Sequence, residues 1–233
     1  MARYTQAYSR FVKRLPEVET LHKLANQHMR AVGPLKGMEV INPLCRAGVV
    51  LLSSHIEGYV EDLAEVILQK IVEKGAPKRT FSGRFLFYFS KDILSEIGET
   101  KHPDKISEKV KRLFDRDLDI WSSNEKFNEE LVVDRFIASF SVPRFVQIRS
   151  FFARFGYNDY KGDLGRHLNA SYPACVRMVD NVVDQRNKIA HGDFVTTTTP
   201  SDLADMLELV RLFCRSTDEV AGRWFTGVGC PIR

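Results

Sequence analysis

Apolar residues recur along much of the chain at steps of three and four, the spacing that lays one stripe along an α-helix. From Tyr4 to Ala31 the stripe is Tyr8, Phe11, Leu15, Val18, Leu21 and Ala25; Pro16 kinks or restarts this helix, and Gly33 with Pro34 ends it. A second stripe, Val49, Leu52, Ile56, Val60, Leu63, Ile67 and Ile71, predicts a long helix from about Arg46 to Lys74, stopped by Gly75 and Pro77. Between Lys78 and Tyr172 the pattern breaks into shorter pieces, with helices expected near Lys91–Glu99, Asp104–Asp115, Lys126–Phe140 and Arg144–Phe155. Val176, Val179 and Val183 then stripe a helix from Ala174 to His191, and Gly192 stands where a left-handed C-terminal residue belongs. Thr199, Pro200 and Asp202 open the last helix as N-cap, first helical residue and capping-box partner, and Leu203, Met206, Leu207, Val210 and Phe213 give it a buried face.

Four long helices, with a mostly helical insertion of about 78–172 between the second and third, predict an all-α bundle in a single domain spanning 1–233. With 44% hydrophobic and 27% charged residues the chain is too apolar to be disordered. Its formal charge of +4 permits a polyanionic partner but falls short of the strongly basic footprint of a nucleic-acid coat protein. No run of some 18 apolar residues exists, and MARYTQAYSRFVKRLPEVE lacks the apolar centre of a signal peptide, so a soluble, cytoplasmic protein with no membrane partner is expected. Cys45, Cys175, Cys214 and Cys230 are scattered without a C-x-x-C pair, which argues against a disulfide framework or a zinc site. No P-loop, Rossmann glycine fingerprint or H-E-x-x-H occurs, and neither a metal nor a cofactor is expected.

The stretch QRNKIAHGDF, Gln185 to Phe194, ends the third long helix and brings an arginine, an asparagine and a histidine close together. Residues four apart share a helix face, so Val183, Asn187 and His191 form one column that begins apolar and ends polar, with Arg186 beside it. Buried polar groups need partners, so such a column should open onto a cleft, a second subunit or a ligand. Histidine can take a proton from a ribose 2'-hydroxyl or give one to a departing 5'-oxygen. Arginine can clamp phosphate oxygens through a bidentate fork, and asparagine can orient either group. The plain alternative is a helix end whose cations complement the macrodipole.

Arg186, four residues, then His191, with polar Asn187 directly after the arginine, resembles the motif of the HEPN superfamily of all-helical domains, many of which are ribonucleases. LLSSHIEGYVEDLAEVIL, Leu51 to Leu68, resembles the early helix of RiboL-PSP-type HEPN proteins, where an acidic residue accompanies the motif; here that residue is Glu57. The resemblance covers these two helices and the capped last helix, and does not identify the insertion. It implies a metal-independent endoribonuclease with Arg186, Asn187, His191 and Glu57 as its catalytic set and RNA as its substrate. It further implies a homodimer through the motif-bearing helices and a toxin-like or antiviral-defence role, with a neutralising protein or a nucleotidyltransferase as a further partner. The alternative within the same family is a non-catalytic module binding RNA, a nucleotide or a partner protein. For Glu57 the plain reading is a solvated ridge with Glu61 and Glu65; under the resemblance it holds Arg186 or His191, and near His191 it would raise the imidazole pKa. His55 forms an isolated H-x-E with Glu57, without the P-C-x-x-C partner of zinc deaminases.

PRFVQIRSFFARFGYNDYKGDLGRH, Pro143 to His167, interleaves arginines with phenylalanines. The Phe residues fall at helical spacing and read as core, while Arg144, Arg149 and Arg154, together with Lys188, are candidate RNA contacts. FSGRFLFYFS, Phe81 to Ser90, reads as a buried or dimer-facing aromatic run.

Overall fold

A computed structural model of the chain describes residues 4–138, 140, 142–193 and 197–233. Helix α1 spans Gln6–Val32 and α2 spans Pro34–Glu73, so Gly33 alone separates them. Its backbone, φ 84° and ψ 158°, lies where only glycine sits without strain, and Pro34 restarts the helix at a position that needs no N–H donor. The two helices fold back on each other as an antiparallel pair: Arg10 pairs with Glu65, and two turns on Glu17 lies 3.4 Å from His55. Helix α1 runs through Pro16 as a single helix rather than restarting there. Helix α2 starts three turns before Arg46 and carries Pro43 inside it, because Ile41 and Cys45 are buried and extend the stripe of Val49 upstream.

The region 78–172 holds α3 (Gly83–Glu99), α4 (Pro103–Trp121), α5 (Val133–Ile137), α6 (Phe145–Arg154) and α7 (Tyr160–Leu168). Three expectations change here. The helix expected from Lys91 begins at Gly83 instead, so the aromatic run is the first half of α3, with Phe85 and Phe89 buried as expected and Ile93 one turn on. The helix expected over Lys126–Phe140 shrinks to α5, whose anchor is buried Phe136, and Ser139, within that span, lies outside the described residues. Helix α7 was not foreseen; Tyr160, Leu164 and Leu168 supply its buried face. The 19-residue α4 equals α8 (Tyr172–Ala190) in length, so long helices are not confined to four.

No strand occurs among the described residues, and the fold is all-α as expected. Buried side chains from 78–172 and from the long helices join in one contiguous cluster. Phe85, Phe136, Phe151 and Phe155 pack ring on ring, Phe155 meets Phe225, and Phe152 stacks on Tyr160 at 4.2 Å. Phe225 belongs to α9 (Pro200–Gly227), which opens with the expected capping box: Thr199 Oγ1 accepts Asp202 N–H at 3.1 Å, and Asp202 Oδ2 accepts Thr199 N–H at 2.9 Å. Thr5, the N-cap of α1, donates its hydroxyl and its N–H to buried Asp218 of α9, fastening the first helix to the last.

Helix α4 is held to α3 by charge. Its backbone leaves the helical conformation at Asp117, whose fully buried carboxylate accepts from Ser90 at 2.6 Å, from Arg116 at 3.0 Å and from Arg135. Burial alone would raise this carboxyl, but the hydrogen bonds from Arg116, Ser90 and Arg135 outweigh it and hold it below the ordinary aspartate range. Asp92, on α3, is held at about 2 chiefly by its hydrogen bond from Arg116, although with its side chain 57% exposed solvent screens most of that effect. Both folded values lie below the unfolded one, so the stability they contribute is present above the ordinary aspartate value and disappears as pH falls through the folded values. The thermal midpoint should therefore drop between about pH 5 and pH 2. Asp117→Ala should cost about 3 kcal/mol at neutral pH, the lower end for a broken buried pair because both arginines keep some solvent, and should flatten that acid slope. Denaturant unfolding of both proteins across this pH range checks both effects; an unchanged slope in the variant contradicts the assignment.

Candidate functional site

Helix α8 places Cys175, Val179 and Val183 one turn apart, all buried, so that Asn187 and His191 continue the same column. The column emerges as it goes: Val183 is buried, Asn187 half-buried and His191 exposed. Arg186, beside it and half-buried, donates from Nη1 to Asn187 Oδ1 at 3.1 Å. A neighbouring amide thus orients the guanidinium, which leaves the rest of its fork for an acceptor.

Backbone groups close three of the last carbonyls of the helix. Asn187, Ile189 and Lys188 carbonyls accept the N–H groups of His191 at 3.0 Å, Gly192 at 3.1 Å and Asp193 at 3.0 Å. With Gly192 at φ 80° this is a Schellman turn, as its glycine foretold. These three carbonyls therefore do not need the Arg186 or His191 side chains as caps, and the macrodipole alone is left as the ground for a plain helix-end reading. Phe194, the final residue of the stretch, lies outside the described residues.

Helix α2 runs antiparallel along α8, since Arg46 meets Asp193 and Asn42 meets Thr198, while Glu57 lies within electrostatic reach of Arg186. Burial lifts the Glu57 carboxyl above the ordinary glutamate range, the charge of Glu61 one turn on adds to this, and Arg186 opposes it. The acidic ridge expected on α2 therefore divides: Glu65 pairs with Arg10 of α1, whereas Glu57 faces α8. His55 points the other way, buried against α1 with Nε2 3.4 Å from Glu17, and burial lowers its pKa toward the neutral form.

The candidate RNA contacts separate. Lys188 is exposed on the last turn of α8, and Arg144, the N-cap of α6, pairs with Asp184 one turn before it. Arg149 is exposed but acts on Tyr172 at the opposite end of α8, on the order of 20 Å along the axis from the motif. Arg154 is corrected outright: only 4% exposed, it donates to the Phe136 carbonyl and lies 4.1 Å over the Tyr88 ring. A guanidinium engaged inside the aromatic core does not reach a nucleic acid.

An open groove of about 770 Å³ adjoins the end of α8, lined mainly by Leu21, Pro43, Ala47, Val50, Leu51 and Ile189. Pro43 and Ala47 are exposed within it. The four cysteines are buried and free, and no group of three or more metal-ligating side chains occurs among the described residues. None of the described helices is long and apolar enough to cross a membrane.

Residues 9–222 match the RiboL-PSP-HEPN family. The chain belongs to the RiboL-PSP-HEPN family. The matched span runs from α1 into α9 and includes the region 78–172, which therefore lies within the reach of the family match. The curated proteins and the solved structures gave no match to the chain. Within this RiboL-PSP-HEPN chain, Arg46 and Asn42 are the residues at the site that sequence reading did not mark. Arg46 shares a face of α2 with Val50 and Glu57, about three turns on, and that register was the available signal.

The Glu57 environment is directly testable by carboxyl NMR titration. Glu57 should titrate above an ordinary glutamate; Glu61→Gln should bring its pKa down, and Arg186→Met should push it further up. A normal value in the wild type contradicts the burial of the carboxyl, and an unchanged or lower value on removing Arg186 contradicts the proximity of Glu57 to Arg186.

Proposed function

We propose that the chain is a metal-independent endoribonuclease that works by attack of the ribose 2'-oxygen on the adjacent phosphorus. The observation that carries this reading is the oriented Arg186–Asn187 pair beside emerging His191, at a helix end closed by a backbone Schellman turn. Membership of a HEPN-type family, many of whose members are ribonucleases, supports it. A base removes the 2'-hydroxyl proton as the 2'-oxygen bonds to phosphorus. The bond from phosphorus to the 5'-oxygen breaks, and an acid protonates that oxygen, leaving a 2',3'-cyclic phosphate and a 5'-hydroxyl. His191 serves as acid/base, Arg186 stabilises the charge on the phosphorane oxygens, Asn187 holds Arg186, and Glu57 balances Arg186 from α2. Lys188 and Arg144 are the candidate contacts to the flanking RNA, with Arg149 more distant.

The reaction asks for an acid and a base at once, and a second copy supplies the second imidazole. The groove of Leu21, Pro43, Ala47, Val50, Leu51 and Ile189 suits an isologous homodimer, because it places an apolar surface directly beside the motif. In the cell this chemistry fits a cytoplasmic toxin-like or antiviral-defence effector, restrained by a neutralising protein or a nucleotidyltransferase partner.

RNA incubated with the protein in excess EDTA should yield fragments ending in 2',3'-cyclic phosphate. His191→Ala should lose about 10²- to 10⁴-fold in rate, the usual contribution of a general acid/base, with fold and assembly intact. Arg186→Ala should also lose cleavage. Binding without cutting by the wild type would point instead to a non-catalytic HEPN module, and full turnover in either variant would remove that residue from the mechanism. For the assembly, Ala47→Glu should leave helical content unchanged and convert the dimer to monomer in sedimentation; a dimer that survives the charge places the interface elsewhere.

A further inference from the structure

The connection that leaves His191 is fastened on both sides to one stretch of α2. Arg46 Nη1 donates to the Asp193 carbonyl oxygen at 2.7 Å. Asn42, one turn earlier on the same helix, accepts the Thr198 N–H on Oδ1 at 3.3 Å. Thr198 is buried, and its hydroxyl donates to Gln185 Oε1 at 3.0 Å, the residue immediately before Arg186.

His191 has its backbone at φ −85° and ψ 11°, the sparsely allowed region where the helix has already ended, and Gly192 follows at φ 80°. A glycine can swivel between positive and negative φ at little steric cost, so the direction of His191 depends on what holds the residues after it. The Schellman bonds hold one side, and Arg46 holds the peptide beyond. Arg46 also borders the apolar groove, where a charge-assisted hydrogen bond is stronger than in open solvent. The same α2 face carries Glu57 within electrostatic reach of Arg186, so one helix borders both ends of the motif.

From this arrangement we infer that Arg46 is a positioning residue for His191, acting through the Asp193 carbonyl to fix the turn that aims the imidazole. Its activity readout rests on the ribonuclease reading; its spectroscopic readout does not. The test uses the full chain with Arg46→Met, which keeps an apolar stem in the groove and removes the charged donor, and with Arg46→Lys, which restores a charged donor. NMR follows the His191 imidazole Cε1–H signal, identified by its loss in His191→Ala, together with amide exchange of Gly192 and Asp193.

In Arg46→Met the imidazole signal should move toward that of a free histidine side chain, and exchange of the two amides should accelerate about tenfold or more. The kcat for RNA cleavage should fall about 10- to 100-fold, as a small misplacement of an acting group does, with KM changed less than about twofold. Arg46→Lys should recover most of the loss and show a smaller displacement of the signal. An unmoved His191 signal with unchanged amide exchange overturns the inference, whatever the activity. If the wild type cuts no RNA but the signal and exchange respond as described, the ribonuclease reading fails and the positioning role stands. Should Arg46→Met not fold, Arg46→Leu, which likewise removes the donor, carries the test, and an unmoved imidazole signal with unchanged amide exchange there overturns it.

Discussion

The site depends on α8 lying antiparallel along α2. That contact brings Glu57 to Arg186 at one level and Arg46 to Asp193 at another. Without it the motif would be a cationic helix end among solvent, and its side chains would have no second element to face. The contact is in turn secured by the core: Val179, Val182 and Val183 of α8 and Val49, Leu52 and Ile56 of α2 are all buried. Apolar burial thus fixes the axis of α8, and polar groups are left to set only its last turn.

That division explains how polar chemistry is tolerated beside a dry core. Along α8 the column passes from buried Val183 to half-buried Asn187 to exposed His191, so each polar group keeps either a partner or water. Arg186 takes Asn187 as its partner and Glu57 as its nearby opposite charge. Elsewhere the chain handles buried charge differently: Asp117 is shut away completely and compensated by two arginines and a serine, which binds α4 to α3. The first arrangement leaves capacity for a ligand, whereas the second is closed.

Local chemistry made much of this legible from the sequence. The stripes of α1, α2, α8 and α9, the glycine of the Schellman turn and the Thr199 capping box each follow from a few neighbouring residues, and they recur in the structure. The start of α2 lies upstream of the expected Arg46, because buried Ile41 and Cys45 carry the stripe through Pro43. Helix α7 hides its face of Tyr160, Leu164 and Leu168 behind two glycines. Arg154 looked like an RNA contact because nothing in its neighbours tells that Tyr88, far away in sequence, will take its guanidinium. Arg46 shows in the sequence only as a register shared with Val50 and Glu57, since its partner lies beyond the end of α8 and offers only a backbone carbonyl.

The proposed chemistry requires the ribose 2'-oxygen as nucleophile at a phosphate held by Arg186 and His191. The most direct measurement takes an RNA oligonucleotide with one mapped cleavage site and replaces the nucleotide on its 5' side with the 2'-deoxy form. Cleavage at that bond should vanish while other sites in the same strand are still cut. Cutting at the deoxy position at the original rate would contradict the proposed chemistry.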